Sequence, residues 1–371
     1  MEKTILRPQA EQRYGEELAA LRLWDQDNRK PQNWQLSPKA VRLFILGSPR
    51  PVRCGGREIA IRKKYLGNDA LVERCIITLA GNRGLMLVGE PGTAKTMLSE
   101  LLSAAISGCS TNTVQGTAGT TEDMIKYSWN YALLLAKGPS REALVPSPLY
   151  VGMEKGILTR FEEITRTPAE VQDSLISVLS DKVLNIPELG DEGLLFARPG
   201  FNVIGTANTR DKGVNDMSAA LKRRFNIVVL PTPPDMATEM DIVRTRVAQL
   251  SSGLDLNARQ PGEDTVEKVV TIFRELRSGA TLDGKQKLKP TSGVLSTAEA
   301  ISLLANSMAL AGSFGDGRVS DTDLAAALQG AVVKDEDSDK VTWKEYLENV
   351  MKKRGHEWLP LYRACRELNG K

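Results

Sequence analysis

Apolar and polar residues alternate along the chain in blocks, and the character of the blocks changes twice. Within the first sixty residues, one stretch repeats apolar residues at helical spacing: Tyr14, Leu18 and Leu21. A second stretch has the start and stop signals of a short helix, with an N-cap serine, a proline and a closing glycine: Ser37, Pro38 and Gly47. A polar linker separates the two. The pattern predicts a small helical N-terminal extension over residues 1–60.

Between about residues 61 and 235, short apolar runs alternate with helical stretches. The runs are LMLVG (85–89), TNTVQ (111–115), ILTRF (157–161), FNVIGTAN (201–208) and NIVVLPT (226–232). Strands that alternate with helices are typical of βαβ units, in which a mostly parallel sheet lies between two helical layers. The sequence therefore predicts a three-layer α/β/α domain over residues 61–235.

After Pro233 and Pro234 the strand signals stop. In 263–280 the apolar residues trace one helical face: Val266, Val269, Val270, Phe273 and Leu276. Similar patterns recur to the end of the sequence, so residues 236–371 are expected to form an all-helical domain.

Composition and charge exclude several classes of protein. The chain has 371 residues, 41% of them hydrophobic, which rules out wholesale disorder. Lys and Arg number 49 against 46 Asp and Glu, and only 5% of the residues are aromatic, so a nucleic-acid partner is not indicated. A single histidine excludes His-based triads, and four widely spaced cysteines give no zinc or disulfide pattern. The lack of a signal-peptide core or a bilayer-length apolar stretch predicts a cytoplasmic protein without a membrane segment.

The strongest chemical motif is GEPGTAKT, which directly follows the first apolar run and precedes a helical run. It fits the phosphate-loop pattern G-x-x-x-x-G-K-[ST], except that Ala94 stands at the last glycine. Such a loop directs amide groups at phosphate oxygens at a helix N-terminus. Lys95 would reach the β- and γ-phosphates of ATP, and Thr96 would ligate Mg²⁺. The expected nucleotide-binding residues of this segment are Gly89, Glu90, Pro91, Gly92, Thr93, Ala94, Lys95, Thr96 and Met97. A ligand-free glycine-rich turn is the alternative, and the strand–helix context argues against it.

The run ILTRF is followed by Glu162 and Glu163. At the end of a strand beside a phosphate loop, one carboxylate can hold Mg²⁺ through water and the next can polarise the attacking water. An acidic turn that caps the following helix is the alternative for either glutamate taken alone. Arg160 is unusual in this strand, because central parallel strands are normally continuously apolar.

Two further polar positions follow in order. Asn208 ends the run FNVIGTAN, where its amide could hydrogen-bond the attacking water or the γ-phosphate. Arg223 and Arg224 precede the last strand, and an arginine there could stabilise transition-state charge on a neighbouring subunit. Asn at a strand end is also common turn chemistry, and a solvated basic turn would equally explain the arginines.

This ordered set resembles the AAA+ ATPases and, within them, the MoxR branch. The resemblance rests on GEPGTAKT, EEITRTPAEVQDSLISVLSDKVL and GTANTRDKGVNDMSAALKRRF and covers about residues 61–310. It implies a AAA+ P-loop domain with a helical lid, and it assigns the residues as follows. Lys95 and Thr96 are the Walker A pair, Glu162 takes the Walker B aspartate position and Glu163 the catalytic glutamate position, Asn208 is sensor 1, and Arg224 is the arginine finger with Arg223 as second choice.

The resemblance also assigns several segments. Leu66 and Gly67 correspond to the part of the family that lies near the adenine. Residues 181–200 correspond to a β-hairpin before sensor 1, and 127–148 to an insert that could face a partner. The lid segment 295–304 lacks the usual sensor 2 arginine.

The expected function is that of an ATP-hydrolysing ring, a homo-oligomer and by resemblance a hexamer. It would act as a chaperone-like remodeller or activator of a protein client, and the resemblance implies a von Willebrand A domain protein as a partner. Two alternatives stay open. One is a nucleic-acid-stimulated motor of the helicase or restriction-translocase kind, which shares the nucleotide core. The other is a nucleotide-gated scaffold with little hydrolysis, suggested by Glu162 at the aspartate position and by the missing sensor 2 arginine.

Overall fold

The computed structural model describes residues 5–54, 56–209, 215–251 and 257–369. They form two compact units. The first comprises the residues up to 90 and residues 94–230, and the second comprises 91–93 and the residues from 231 onward. In the described part of the chain, no helix has both the length and the apolar character needed to cross a bilayer.

The first unit contains strands and helices in alternation. Its strands are β1 (Val52–Cys54), β2 (Arg57–Ile59), β3 (Gly84–Gly89), β4 (Thr113–Gln115), β5 (Tyr127–Trp129), β6 (Leu144–Pro146), β7 (Leu158–Glu162), β8 (Val183–Asn185), β9 (Leu194–Phe196), β10 (Asn202–Asn208) and β11 (Phe225–Leu230). Its helices are α1 (Ala10–Arg13), α2 (Gly15–Trp24), α3 (Pro38–Leu46), α4 (Asp69–Ala80), α5 (Lys95–Ser107), α6 (Glu122–Ile125), α7 (Tyr131–Lys137), α8 (Pro148–Lys155), α9 (Ala169–Asp173), α10 (Leu175–Asp181) and α11 (Ala219–Lys222).

Five strands form one parallel sheet in the order β11-β3-β10-β7-β4. Side chains alternate between the two faces of a strand, so each face is covered by its own core. Leu85 and Leu87 join a cluster that includes residues of α4 and α5, whereas Met86 joins a second cluster that includes residues of α8 and α10. The predicted three-layer α/β/α fold with a parallel sheet is confirmed.

The N-terminal helices share the core of this sheet. α3 begins as the sequence predicts, because the Ser37 hydroxyl accepts from the amide of Ala40 and Pro38 takes the first helical position. Phe44 of α3 is fully buried in the cluster that contains Leu102 of α5. The buried Lys64 ammonium also lies 2.5 Å from a carboxylate oxygen of Glu17 in α2. The described part of residues 1–60, predicted as a helical N-terminal extension, therefore packs within the first unit.

Two antiparallel strand pairs lie outside the parallel sheet within the same unit. β8 pairs with β9, which confirms the β-hairpin expected in 181–200. β5 pairs with β6 and encloses the short helix α7, so the expected insert 127–148 is a strand–helix–strand element. The Tyr127 hydroxyl donates to Glu188 at 3.0 Å, and the Arg141 guanidinium donates to the Glu192 carbonyl at 2.9 Å. These bonds join the two elements.

The second unit is all-helical in its described residues, as predicted. Its helices are α12 (Met236–Ser251), α13 (Glu263–Ser278), α14 (Thr297–Phe314), α15 (Asp321–Val332), α16 (Asp339–Asn349) and α17 (Leu359–Asn369). The expected apolar face of α13 is buried, with Phe273 at its centre. Glu239 of α12 is fully buried and is held by Arg274, Arg277 and Thr297.

Candidate nucleotide site

The phosphate-loop segment connects β3 to α5, as the sequence predicts. Gly92 has φ +79° and Ala94 has φ 65°, so both adopt the left-handed conformation that favours glycine. The tight turn lets α5 start at Lys95, whose side chain is buried. The Lys95 ammonium donates to the carbonyl oxygens of Gly89 (3.0 Å) and Glu90 (2.8 Å). The lysine is thus held beside the first turn of a helix, where the positive end of the helix dipole favours an anion.

The carboxylate of Glu162 lies directly beside this first turn. It ends the fully buried strand β7 and is itself only 4% exposed. The Thr96 hydroxyl donates to Glu162 Oε2 at 3.0 Å, and the Ser99 hydroxyl donates to Oε1 at 2.6 Å. From the neighbouring strand β10, the Thr206 hydroxyl also donates to Oε2 at 2.8 Å. The structure therefore brings together the predicted metal-binding pair, Thr96 and Glu162.

The oxygen atoms at this position suit Mg²⁺. Hydroxyl and carboxylate oxygens are the protein ligands that Mg²⁺ prefers, and it usually retains several waters. The Thr96 hydroxyl donates its hydrogen to Glu162, so the lone pairs of the hydroxyl oxygen are directed away from the carboxylate. A direct hydroxyl ligand with Glu162 behind it, acting through water, fits this donor set.

Arg160 provides an internal counter-charge to Glu162. Two residues apart on one strand, the two side chains share a face of β7. The Arg160 guanidinium donates to Glu162 Oε1 from Nη2 at 2.7 Å and from Nε at 3.2 Å. The pair is buried, with side chains 8% and 5% exposed. The arginine that looked unusual in a central strand is therefore compensated by the following glutamate.

Glu163 follows β7 in a conformation that is unusual for a residue with a side chain. Its φ is 54°, in the left-handed region, which costs about 1 kcal/mol or more. The backbone amide of Glu163 donates to the Thr206 hydroxyl at 2.9 Å. Its half-exposed carboxylate lies 3.0 Å from Nε of Arg166, which belongs to the 3₁₀ turn Ile164–Arg166. The side chain therefore leaves the sheet just beyond the Glu162 carboxylate.

Asn208 lies at the end of β10, in register with Gly89 at the start of the phosphate loop. The amide of Thr209 donates to the Gly89 carbonyl at 3.2 Å, which ties this strand end to the loop. The structure thus places Asn208 at the same edge of the sheet as Thr96 and Glu162.

The expected adenine-side residues lie just before α4. Leu66 is half-buried and Gly67 is exposed, in the segment that leads to the Asn68 N-cap. Within α5, Met97 packs partly buried against the core of the first unit.

Arg224 lies at the opposite end of the strands, where β3 begins rather than where it ends. Its carbonyl accepts from the amide of Gly84, where β3 begins. The length of β3 then separates Arg224 from the loop by about 17 Å, at about 3.3 Å per residue. Its guanidinium donates to the Ser180 hydroxyl and the Ala220 carbonyl, each at 2.7 Å. Arg224 is therefore apart from the candidate site of its own chain, and the neighbouring Arg223 is exposed.

Comparison with known proteins agrees with this geometry. Residues 84–225 match the AAA domain of the dynein-related subfamily, and residues 237–370 match the YehL-like AAA+ ATPase C-terminal domain. The uncharacterized protein YehL of Escherichia coli (strain K12) is 45% identical over 368 residues, which cover 98% of this chain and 98% of that protein. The chain belongs to the YehL-like family of AAA+ ATPases.

Other similarities of this YehL-like chain are more distant. The gas vesicle ATPase GvpN1 of Halobacterium salinarum is 26% identical over 208 residues, which cover 53% of this chain and 56% of that protein. Among solved structures, NtrX from Brucella abortus in complex with ATP has a TM-score of 0.48 at 15% identity, covering 76% of this chain and 62% of that one. A variant of RuvB from Thermotoga maritima has a TM-score of 0.44 at 16% identity, covering 77% of each chain.

Several polar residues of the YehL-like site were not predicted from the sequence. Ser99 and Thr206 hold the Glu162 carboxylate, Arg160 was noticed without a role, and Arg166 faces Glu163. Two of these had a usable signal. Ser99 lies one helical turn after Thr96, and Thr206 lies two residues before Asn208 on the same strand face.

Proposed function

We propose that this YehL-like chain binds ATP with Mg²⁺ at the phosphate loop and hydrolyses it. The observation that carries the proposal is the bond from the Thr96 hydroxyl to Glu162 beside the buried Lys95. A hydroxyl, a carboxylate and an ammonium placed at a helix N-terminus are the parts that P-loop ATPases use to hold a metal-bound triphosphate.

The residues divide the chemistry between them. Lys95 would exchange the carbonyl oxygens of Gly89 and Glu90 for the β- and γ-phosphate oxygens. Thr96 and Glu162 would hold Mg²⁺, which would neutralise phosphate charge. Glu163 orients a water molecule against the γ-phosphate and accepts its proton as the bond to ADP breaks. Asn208 lies on the edge from which an amide can hydrogen-bond that water or the γ-phosphate.

We also propose a ring of identical subunits, expected to be a hexamer. Arg224 lies about a strand length from its own phosphate loop, farther than an arginine side chain reaches. This distance supports a role on the nucleotide of another copy. An arginine supplied in this way stabilises charge on the γ-phosphate in the transition state.

The proposed role of the ring is to remodel or activate a partner protein, as a chaperone-like ATPase of the MoxR branch. A protein with a von Willebrand A domain is one candidate partner that would act together with the ring on its client. The GvpN1 relative is named a gas vesicle ATPase, which is compatible with work on a protein assembly.

Hydrolysis is tested by phosphate release from the wild type, Lys95→Ala and Glu163→Gln. We expect Lys95→Ala to lose nucleotide binding, and Glu163→Gln to bind ATP but to hydrolyse it at least about a hundredfold more slowly. The Glu163→Gln protein with ATP is also the form in which to capture a client. Equal, background rates in all three proteins would contradict the proposal.

The ring is tested by mixing two inactive variants. Arg224→Ala subunits keep the nucleotide site, and Lys95→Ala subunits keep the arginine. Mixed rings should therefore recover part of the ATPase activity, whereas each variant alone should not. A monomer in the presence of ATP by light scattering, together with no recovery, would contradict the ring.

A nucleotide-gated scaffold is the second candidate. The Arg160–Glu162 pair favours it, because a neutralised carboxylate attracts Mg²⁺ less strongly than a free one. Tight ATP binding by the wild type, with phosphate release no faster than from Glu163→Gln, would support the scaffold.

A further inference from the structure

The guanidinium of Arg160 is buried, and each of its three nitrogens donates a hydrogen bond. It is buried in β7, between β10 and β4, and only 7% of the residue is exposed. Besides Glu162 Oε1, it donates to the Ser99 hydroxyl at 3.0 Å, the Ser110 carbonyl at 2.7 Å and the Thr96 carbonyl at 3.4 Å. An unpaired charge at such a position would cost several kcal/mol, so this set of acceptors is what allows an arginine here.

The two oxygens of Glu162 have separate partners. Oε1 accepts from Arg160 and Ser99, whereas Oε2 accepts from Thr96 and Thr206. Arg160 therefore holds one oxygen from behind and leaves the other facing the Thr96 hydroxyl. A glutamate is one methylene longer than an aspartate, and the hydrogen bonds from Arg160 hold the end of this longer side chain in place.

We propose that Arg160 is a positioning residue and built-in counter-charge, which makes nucleotide binding at this site less dependent on Mg²⁺. The inference rests on the proposed function, because it requires a nucleotide at the phosphate loop. Without Arg160, the buried carboxylate would repel a metal-free triphosphate and would need a bound cation. With Arg160, the charge of the Arg160–Glu162 pair is close to zero before nucleotide and metal arrive.

The expected size follows from the short distance between the charges. The Arg160 guanidinium lies 2.7 Å from Glu162 Oε1, so its charge offsets much of the repulsion between that carboxylate and a bound phosphate. We therefore expect the metal dependence to change by at least about tenfold when this charge is removed.

The experiment measures equilibrium binding of a fluorescent ATP analogue to the full chain, once in EDTA and once in Mg²⁺. The metal ratio is the dissociation constant in EDTA divided by the dissociation constant in Mg²⁺. Removing the charge in Arg160→Gln should raise the metal ratio by about tenfold, mainly through weaker binding in EDTA. Arg160→Lys keeps the charge and should stay within about threefold of the wild type.

Two further variants keep the test interpretable. Asp25→Asn breaks a buried hydrogen bond to Ser37 in the same unit, so it controls for lost stability and should leave the metal ratio unchanged. The double variant Arg160→Met, Glu162→Gln contains neither buried charge. It should fold where Arg160→Gln does not. Its dissociation constant in EDTA should stay within about threefold of the wild type, because no unpaired carboxylate remains to repel the phosphates.

Each outcome decides the matter. A metal ratio that is unchanged or lower in Arg160→Gln would overturn the inference and leave the proposed function standing. The same holds for a double variant whose dissociation constant in EDTA is about tenfold above that of the wild type. No binding of the analogue by the wild type in either buffer would overturn the proposed function, and the inference with it.

Discussion

The contact between Glu163 and Arg166 leads to a prediction about the rate of hydrolysis. The carboxylate proposed to polarise water lies 3.0 Å from the Arg166 guanidinium, three residues further along the chain. A carboxylate held by an arginine is drawn away from the water that it must orient. If this pair has to open before each turnover, Arg166→Gln should hydrolyse ATP faster than the wild type.

The exposure of the two side chains sets the magnitude. The Arg166 side chain is 50% exposed and the Glu163 side chain 34%, so solvent screens the pair. The net stabilisation from the pair is therefore about 0.5–1 kcal/mol. An opening cost of that size slows a reaction by about two- to fivefold. The predicted gain in kcat for Arg166→Gln is therefore about two- to fivefold, with little change in KM for ATP.

The assay is steady-state phosphate release at saturating ATP, repeated as KCl is raised from about 0.05 to 0.3 M. Salt weakens an exposed ion pair, so the ratio of the variant rate to the wild-type rate should fall toward one. Arg53→Gln is the matched control, because it removes an exposed arginine that lies 2.8 Å from Glu58 and is remote in sequence from Glu163. Its rate should follow the wild type at every salt concentration.

One result would refute the reasoning outright. A kcat about tenfold or more below the wild type in Arg166→Gln would show that the arginine assists the reaction rather than restraining Glu163. A gain that is independent of salt would exclude the ion pair as its cause.

Three other predictions concern stability and reactivity. Ala94→Gly should relieve a left-handed alanine and raise the free energy of unfolding by about 0.5–1 kcal/mol in urea denaturation, and a loss would show that the alanine is not strained. Burial acts to raise the pKa of Glu239, but hydrogen bonds led by that from Arg277 outweigh burial and hold the pKa below its usual value of 4.5. The stabilisation from this carboxylate is therefore complete above about pH 4.5 and is lost as the pH falls through the lower folded-state pKa. Glu239→Gln should cost about 3 kcal/mol at pH 7 and clearly less at pH 3, measured by circular dichroism, and an equal cost at both pH values would contradict this. Burial raises the pKa of both Cys75 and Cys365 to about 12, so about one of these thiols in ten thousand is ionised at pH 8. Both should therefore resist a thiol reagent, while the half-buried Cys54 and Cys109 react.

The parallel sheet could be predicted from the sequence because its three central strands, β3, β10 and β7, are buried on both faces and are read as continuous apolar runs. The partly exposed edge strands β4 and β11 were predicted from the same alternation of short runs with helical stretches. The short antiparallel pair β5 and β6 could not be predicted in the same way. Its residues are half-buried or exposed and each strand is only three residues long, so neither alternation nor a continuous run is present.

The hydrophobic pattern also could not predict which core the N-terminal helices join. An apolar helical face shows that a helix is buried, but it does not show which core receives it. Leu18 and Phe44 could have packed against each other in a small domain, and they join the core of α4 and α5 instead. The buried Lys64 is the feature that fixes this arrangement, since its ammonium binds both Glu17 and the Phe44 carbonyl.

The candidate site departs from the usual P-loop pattern at two places, and the structure treats the two differently. Ala94 bears its backbone strain locally, so a single change to glycine should relieve it. Glu162 at the aspartate position is matched by Arg160, and the pair shares Ser99 and the first turn of α5. A change to either member leaves a buried charge without its partner. The two residues therefore have to be exchanged together, and a change of either one alone should cost more than a change of both.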